Sequence, residues 1–274
     1  MAYRYARGIV DAIDPIWKPF VESAGTSGLF LDFDGTLSEI VIMPGDARPL
    51  PGVAEALEAL ARRLGLVAIV SGRSAHQLLD WLGPHIEIWG VHGAERTIDG
   101  SVALSERAAA FSELMDVVKQ EASAALARVA IEGTVLEDKG VMLGLHFRAA
   151  ADLDRARVEL DRIAADLAAR HGLLRAGGRL AYELRPPVEF SKAAVVLERA
   201  RELGLEAAAF VGDDRVDLPG YDALDKLAED AVHTVRVAVD SAEVPPELVE
   251  RADVVMPNPK AVVALLEWLS RAAA

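Results

Sequence analysis

Two groups of carboxylates carry the chemistry in this sequence. Asp32 and Asp34 close the apolar segment LFLDFDGTL. Alternate residues of a strand point the same way, so both acids face one site. One can attack phosphorus as a nucleophile while its neighbour protonates a departing alkoxide. A solvated acidic turn would explain an Asp-Gly pair, but not a whole Asp-x-Asp-Gly-Thr run after a buried strand. The second group is Asp213, Asp214 and Asp217, directly after AAAFVG. Helix capping accounts for one of these three. Acids set beside another acid pair repel unless a cation lies among them, and hard oxygen donors with no Cys or His nearby suit Mg²⁺.

Two further residues fit the same chemistry. Ser71 ends the run LVAIV and begins a turn, where its hydroxyl and nearby N–H groups can hold phosphate oxygens. By itself it reads as an ordinary helix cap. Lys192 opens a helix soon after Pro186-Pro187, the end at which the helix dipole disfavours a cation. Its place makes sense if it neutralises a carboxylate or a phosphate; alone it reads as a solvated surface lysine.

These residues need a frame to bring them together. GLFLDF, LVAIVSG and IEIWGVHGAE read as strands, separated by helical stretches VAEALEALARRLG and AHQLLDWLG. That alternation implies a parallel sheet with right-handed crossovers. The rhythm changes after about Ser105. A helix over 108–129, strands TVLEDKG and VMLGLHF with Gly140 at their turn, a helix over 152–171, and runs LLRAGG and RLAYELRPP form an α+β unit. The first pattern then returns in SKAAVVLERARELG, AAAFVGDD, YDALDKLAE, HTVRVAV, ADVVM and AVVALLEWLSRA. The expected class is α/β: a Rossmann-like core of residues 27–106 and 184–274, interrupted by an inserted α+β cap over 107–183. Residues 1–26 form an N-terminal extension with a short amphipathic helix, interrupted near Pro15. All the chemistry-bearing segments are expected where parallel strands end, the side on which open α/β sheets bind ligands.

Composition narrows the function classes. Of 274 residues, 52% are apolar and 26% charged, ample for a packed core. The net charge of −14 argues against nucleic acid and against anionic membranes as partners. No cysteine is present, which removes disulfides and thiolate catalysis and fits a cytoplasmic setting. The N-terminal residues carry no apolar stretch of a secretory signal, and no run approaches the length that spans a bilayer.

Taken in order, nucleophile strand, Ser strand, Lys helix and acidic strand resemble the haloacid dehalogenase-like phosphotransferase superfamily. The resemblance implies Asp32 as nucleophile, Asp34 as acid/base, and Ser71 and Lys192 as phosphate holders. It also implies Mg²⁺ held by Asp32, the Asp34 carbonyl and Asp213, with Asp214 beside the metal and Asp217 beside it or positioning Lys192. WGVHGAE, LEDKGVMLGLHFR and YELRPPVEFSKAAVV are similar to segments of trehalose-6-phosphate phosphatases, over about Phe30 to Pro257. That likeness implies a phosphosugar substrate met by Arg73, His92, Glu137, Lys139, His146, Arg148 and Glu183, and a trehalose-phosphate synthase as partner. Charged acceptors and donors on the cap suit sugar hydroxyls, whereas Glu137 and Lys139 also read as a cross-strand surface pair. A lone His after an apolar strand is commonly structural. Val216 and Leu218 stand where that family commonly has Thr and Glu, which leaves metal ligation intact and alters what surrounds it. The competing readings are a phosphatase of another phosphosugar, such as sucrose-phosphate or mannosyl-phosphoglycerate, a phosphomutase, and a non-catalytic phosphosugar-binding domain.

Overall fold

Five-residue runs such as Ser27–Leu31, apolar after its serine, and Leu66–Val70 are buried along their whole length. Such strands belong to a sheet covered on both faces. The computed structural model describes all residues except 1, 2, 5–9, 42, 179, 189, 242, 243 and 274, and it divides into two compact units, Met1–Ala103 with Phe190–Ala274, and Leu104–Glu189.

The first unit begins with β1 (Tyr3–Arg4), α1 (Val10–Glu22), β2 (Ser27–Leu31), α2 (Val53–Ala61), β3 (Leu66–Val70), α3 (Ala75–Leu82), β4 (Glu87–Gly90), β5 (Glu95–Ile98) and β6 (Ser101–Leu104). The second unit holds α4 (Glu106–Ala109), α5 (Ser112–Val129), β7 (Val135–Asp138), β8 (Leu143–His146), α6 (Leu153–His171), β9 (Leu174–Gly178) and β10 (Ala181–Arg185). The chain then re-enters the first unit through α7 (Lys192–Glu202), β11 (Ala207–Gly212), α8 (Leu218–Glu229), β12 (His233–Val239), α9 (Pro246–Arg251), β13 (Val254–Met256) and α10 (Pro259–Ala272).

Among the described residues the first unit's sheet has the order β1-β13-β12-β11-β2-β3-β4-β5-β6. It is parallel from β1 through β4, and β5 runs antiparallel to β4. Successive residues of β2 face opposite layers. Leu29 and Leu31 pack with Trp17, Phe20, Leu57, Leu78 and Leu266, whereas Phe30 packs with Val196, Phe210, Leu224 and Leu248. The chain works outward from β2 to β4, and after its return outward from β11 to β13. The adjacent β2 and β11 therefore form the switch point, and the crevice at their carboxyl ends is the natural ligand site.

The second unit is an antiparallel sheet, β7-β8-β10-β9, with α5 and α6 against one face. Leu143, Leu145 and Leu184 point into that core with Met115, Val118, Leu160 and Leu167. Residues 144, 146 and 183 alternate with them onto the other face.

Four local features depart from the sequence expectation. Helix α1 runs unbroken through Pro15 and Pro19. Each proline removes one backbone bond, and burial of Trp17 and Phe20, packed edge to face at 5.2 Å, holds the turns together. The stretch treated as an extension thus contributes to the core. The expected strand over 86–95 stops at Gly90, because Val91 (φ 50) and His92 (φ 57) enter the left-handed region and reverse the chain into β5. The expected helix over 108–129 is split between α4 and α5. Strands β1, β5 and β6 and helix α9, too short for periodicity to register, were not anticipated. Among the described residues no helix is long and apolar enough to cross a membrane.

Candidate active site

Asp32 is the first residue past β2, Ser71 the first past β3, and Asp213 the first past β11. Parallel neighbours in register place all three at one edge of the sheet. Lys192 arrives differently, from the first turn of α7, whose N-cap Ser191 accepts a bond from the Ala194 N–H. It is buried to 2% exposure and its ammonium lies 2.8 Å from Asp32 Oδ1 and 2.6 Å from Asp217 Oδ1. A cation at a helix N-terminus is thus explained by two buried carboxylates, which outweigh the unfavourable dipole.

Asp217 is the organiser of this edge. It is fully buried, and its second oxygen accepts the Asp213 and Asp214 N–H groups at 2.9 and 3.0 Å. Carboxylate oxygens of Asp32, Asp213 and Asp217 lie within 4.8 Å of one another. Asp214, expected as a metal neighbour, is exposed, and its carboxylate caps the turn at Arg215 N, 2.6 Å away. The Asp213 Oδ1 atom is buried with no hydrogen-bond partner among the described residues. Gly35 (φ 71) wraps closely over the same side chain, since a Cβ there would lie 2.0 Å from Asp213 Oδ2. An orphaned, buried carboxylate oxygen beside two further acids is the environment a hard divalent cation fits.

The electrostatics agree. Burial first, then Asp32, Asp217 and Asp214, push the Asp213 carboxyl up to about 9. Burial also raises Asp32; Lys192 opposes the rise and Asp217 adds to it. For Lys192 burial works downward, and Asp217 and Asp32 outweigh it, holding the ammonium above its usual value. Three acids facing one lysine leave excess negative charge. A carboxyl whose folded pKa is raised keeps a proton that the unfolded chain has released, so metal-free stability falls as pH rises through that window. For Asp213 the window runs from 3.8 to about 9. We expect the melting temperature in EDTA to drop between pH 6 and pH 9, and Mg²⁺ to restore it with proton release. Calorimetry in buffers of different ionisation enthalpy reads the proton count; no Mg²⁺-linked release would contradict the assignment.

Ser71 is buried, and its Oγ accepts the Arg73 N–H at 3.3 Å, while Ser74 caps α3. Capping therefore does not account for Ser71. His92 braces the same turn: its N–H donates to Ser71 O at 2.8 Å, and Val91 N–H donates to Arg73 O at 2.8 Å. Positive φ at a buried β-branched Val91 is a strained conformation, of the kind found where a site needs a fixed geometry. Arg73, expected at the substrate, makes a two-pronged ion pair with Asp34 at 2.7 Å.

The second unit holds its own cluster. Glu137 and Glu183 flank Gly144 across three strands. The missing side chain leaves room between them, since a Cβ on Gly144 would lie 2.6 Å from His146 Nε2. Lys139 Nζ lies 3.3 Å from Glu183 and 3.5 Å from Glu137, and His146 Nε2 lies 2.7 Å from Glu137. Burial would raise the Glu137 pKa, and His146 and Lys139 outweigh it, lowering it to about 2. Arg148 is exposed after β8 and joins this cluster through no hydrogen bond or ion pair among the described residues. Sequence reasoning did not find the Arg73–Asp34 pair or the His146–Glu137 bond; the only signal was that Arg73 shares a turn with Ser71.

A parallel sheet that presents a buried Asp, a Ser turn, a helix-borne Lys and an acidic edge is the core of the haloacid dehalogenase-like hydrolases. One such hydrolase from Bacteroides thetaiotaomicron shares the fold at TM-score 0.58 and 14% identity, over 88% of this chain and 98% of its own. Within that class the chain belongs to the trehalose-phosphatase family, whose sequence model matches residues 30–250. A trehalose-phosphate phosphatase of Mycobacterium avium is 38% identical over 204 residues, 72% of this chain and 51% of the relative. The chain thus spans about half the length of the curated relatives it matches. A trehalose-6-phosphate phosphatase related protein has the same fold at TM-score 0.73 and 21% identity, over 89% of this chain and 97% of its own.

Proposed function

We propose that this chain hydrolyses trehalose 6-phosphate to trehalose and phosphate, with Mg²⁺, through an aspartyl-phosphate on Asp32. The observation that carries the reading is the buried Asp32–Lys192–Asp217–Asp213 constellation beside an orphaned carboxylate oxygen. Family membership and relatives named as trehalose-phosphate phosphatases support the substrate.

An anionic carboxylate must approach an anionic ester. Lys192 and the N–H groups of the Ser71 turn offset part of that repulsion; Mg²⁺, which Asp32, the Asp34 carbonyl and Asp213 would hold, would supply further charge stabilisation. An oxygen of Asp32 forms the new P–O bond as the bond to the sugar oxygen breaks. The electron pair leaves with that oxygen, which takes a proton from Asp34. Asp34, now a carboxylate, then removes a proton from water, and the hydroxide oxygen attacks phosphorus and releases Asp32 with inorganic phosphate. Lys192, anchored by Asp217, keeps the nucleophile oriented. The Glu137, Lys139 and Glu183 set offers charged acceptors and a donor to sugar hydroxyls.

A panel of phosphate esters with Mg²⁺ tests this. Trehalose 6-phosphate should release phosphate fastest, ahead of sucrose 6-phosphate, mannosyl-phosphoglycerate and glucose 6-phosphate, without a bisphosphate activator. Glu183→Gln should raise KM for trehalose 6-phosphate roughly tenfold, the loss of one charged hydrogen bond, and leave p-nitrophenyl phosphate unaffected. Faster turnover of another phosphosugar would reassign the substrate while leaving the chemistry in place.

A further inference from the structure

Asp34 has a partner that the reaction scheme does not use. Arg73 Nε donates to Asp34 Oδ2 and Nη2 to Oδ1, each at 2.7 Å, so both carboxylate oxygens are bonded to one guanidinium. The two sides of this fork differ in surroundings. The Arg73 side chain is 8% exposed and that of Asp34 is 44% exposed. A platform fixes the arginine: its guanidinium carbon lies 5.5 Å from the Phe33 ring centre and 5.4 Å from that of Trp81. Those rings stack on each other at 5.3 Å, and Gln77 Oε1 accepts from Nη1 at 3.2 Å. The Arg73 N–H is bonded to Ser71 Oγ, so the arginine is built into the phosphate-holding turn. An ion pair that served only the surface would need none of this support.

We propose that Arg73 is a positioning residue for proton delivery to the departing oxygen. The fork occupies two of the carboxylate's roughly four lone-pair directions and leaves the others toward solvent, where a leaving group arrives. Arg73 thus acts through Asp34, and it sets the plane and place of that group without touching the sugar. This rests on the hydrolytic reading above.

The leaving group exposes the role. A sugar alkoxide must be protonated as it departs, whereas p-nitrophenolate leaves unaided, so in the step that phosphorylates Asp32 a residue that acts through Asp34 matters for the first and hardly for the second, while the later attack of water is common to both. With R73Q we expect the single-turnover rate of Asp32 phosphorylation by trehalose 6-phosphate to fall about 100-fold, the low end of a general acid's contribution, and that by p-nitrophenyl phosphate to change less than about threefold. R73K should resemble R73Q, because an ammonium cannot form the fork. Asp34→Asn supplies the reference pattern. Trp81→Leu, which removes half the platform and keeps the arginine, should show the same discrimination at smaller size, about fivefold. A raised KM with an unchanged phosphorylation rate would place Arg73 on the substrate and overturn the proposal. Equal losses of the phosphorylation rate on both esters would also overturn it, as a merely structural role. A wild-type protein that hydrolyses neither ester overturns the hydrolytic reading itself, and the proposal with it.

Discussion

Asp32→Asn is expected to reduce phosphate release from trehalose 6-phosphate by at least about 10⁴-fold and to leave the protein folded. An amide has no anionic oxygen to attack phosphorus, and no neighbouring group can substitute: Asp213 and Asp217 lie within 4.8 Å but are held by Gly35 packing and by backbone N–H bonds. The fold should survive because the substitution removes one of three crowded negative charges. Lys192 keeps its 2.6 Å contact with Asp217, so no buried cation is left alone. The measurement is a single-turnover phosphate assay together with a urea unfolding curve. Retained turnover would remove Asp32 from its role, and loss of folding would show that its ion pair stabilises more than its crowding costs.

Lys192→Met should have the larger effect on stability, about 3–5 kcal/mol at pH 8, because it leaves Asp32 and Asp217 buried with no cation. The sign with pH follows from Asp32. In the variant the Asp32 carboxyl, already raised to about 7 by burial against the opposing Lys192, rises further, so near pH 5 it is protonated and the loss is small, and the loss grows as pH rises through about 7 and above. Urea unfolding at the two pH values in EDTA measures the difference. A second variant separates charge from packing: adding Asp217→Asn to Lys192→Met should recover part of the loss, which independent sites would not do. Equal destabilisation at both pH values would mean that Lys192 matters for its packed stem rather than its charge.

The alternation of apolar runs with helical stretches was legible because period and length are local properties. Strands β2, β3 and β11 and helices α2, α3, α6, α7 and α10 fall where their residues predict. Short elements escaped for the same reason. β1, β6 and α9 span 2, 4 and 6 residues, too few to show a period. The turn at Val91-His92 escaped because a β-branched residue at positive φ contradicts its own propensity, and tertiary bonds from Arg73 and Ser71 impose it.

The site divides similarly. The sequence by itself determined which residues have carboxylate, hydroxyl and ammonium groups, that Asp32 and Asp213 each follow a buried strand, and that something must offset their charge, because these follow from residue type and chain order. Only the tertiary structure decided that Asp217 rather than Asp214 completes the acidic cluster, that Lys192 bridges Asp32 and Asp217, and that Arg73 grips Asp34. Those choices depend on distances between groups as far as 185 positions apart in the case of Asp32 and Asp217, by 217 − 32. Such distances are fixed by sheet register and helix packing, and no local pattern encodes which of several nearby carboxylates will point inward.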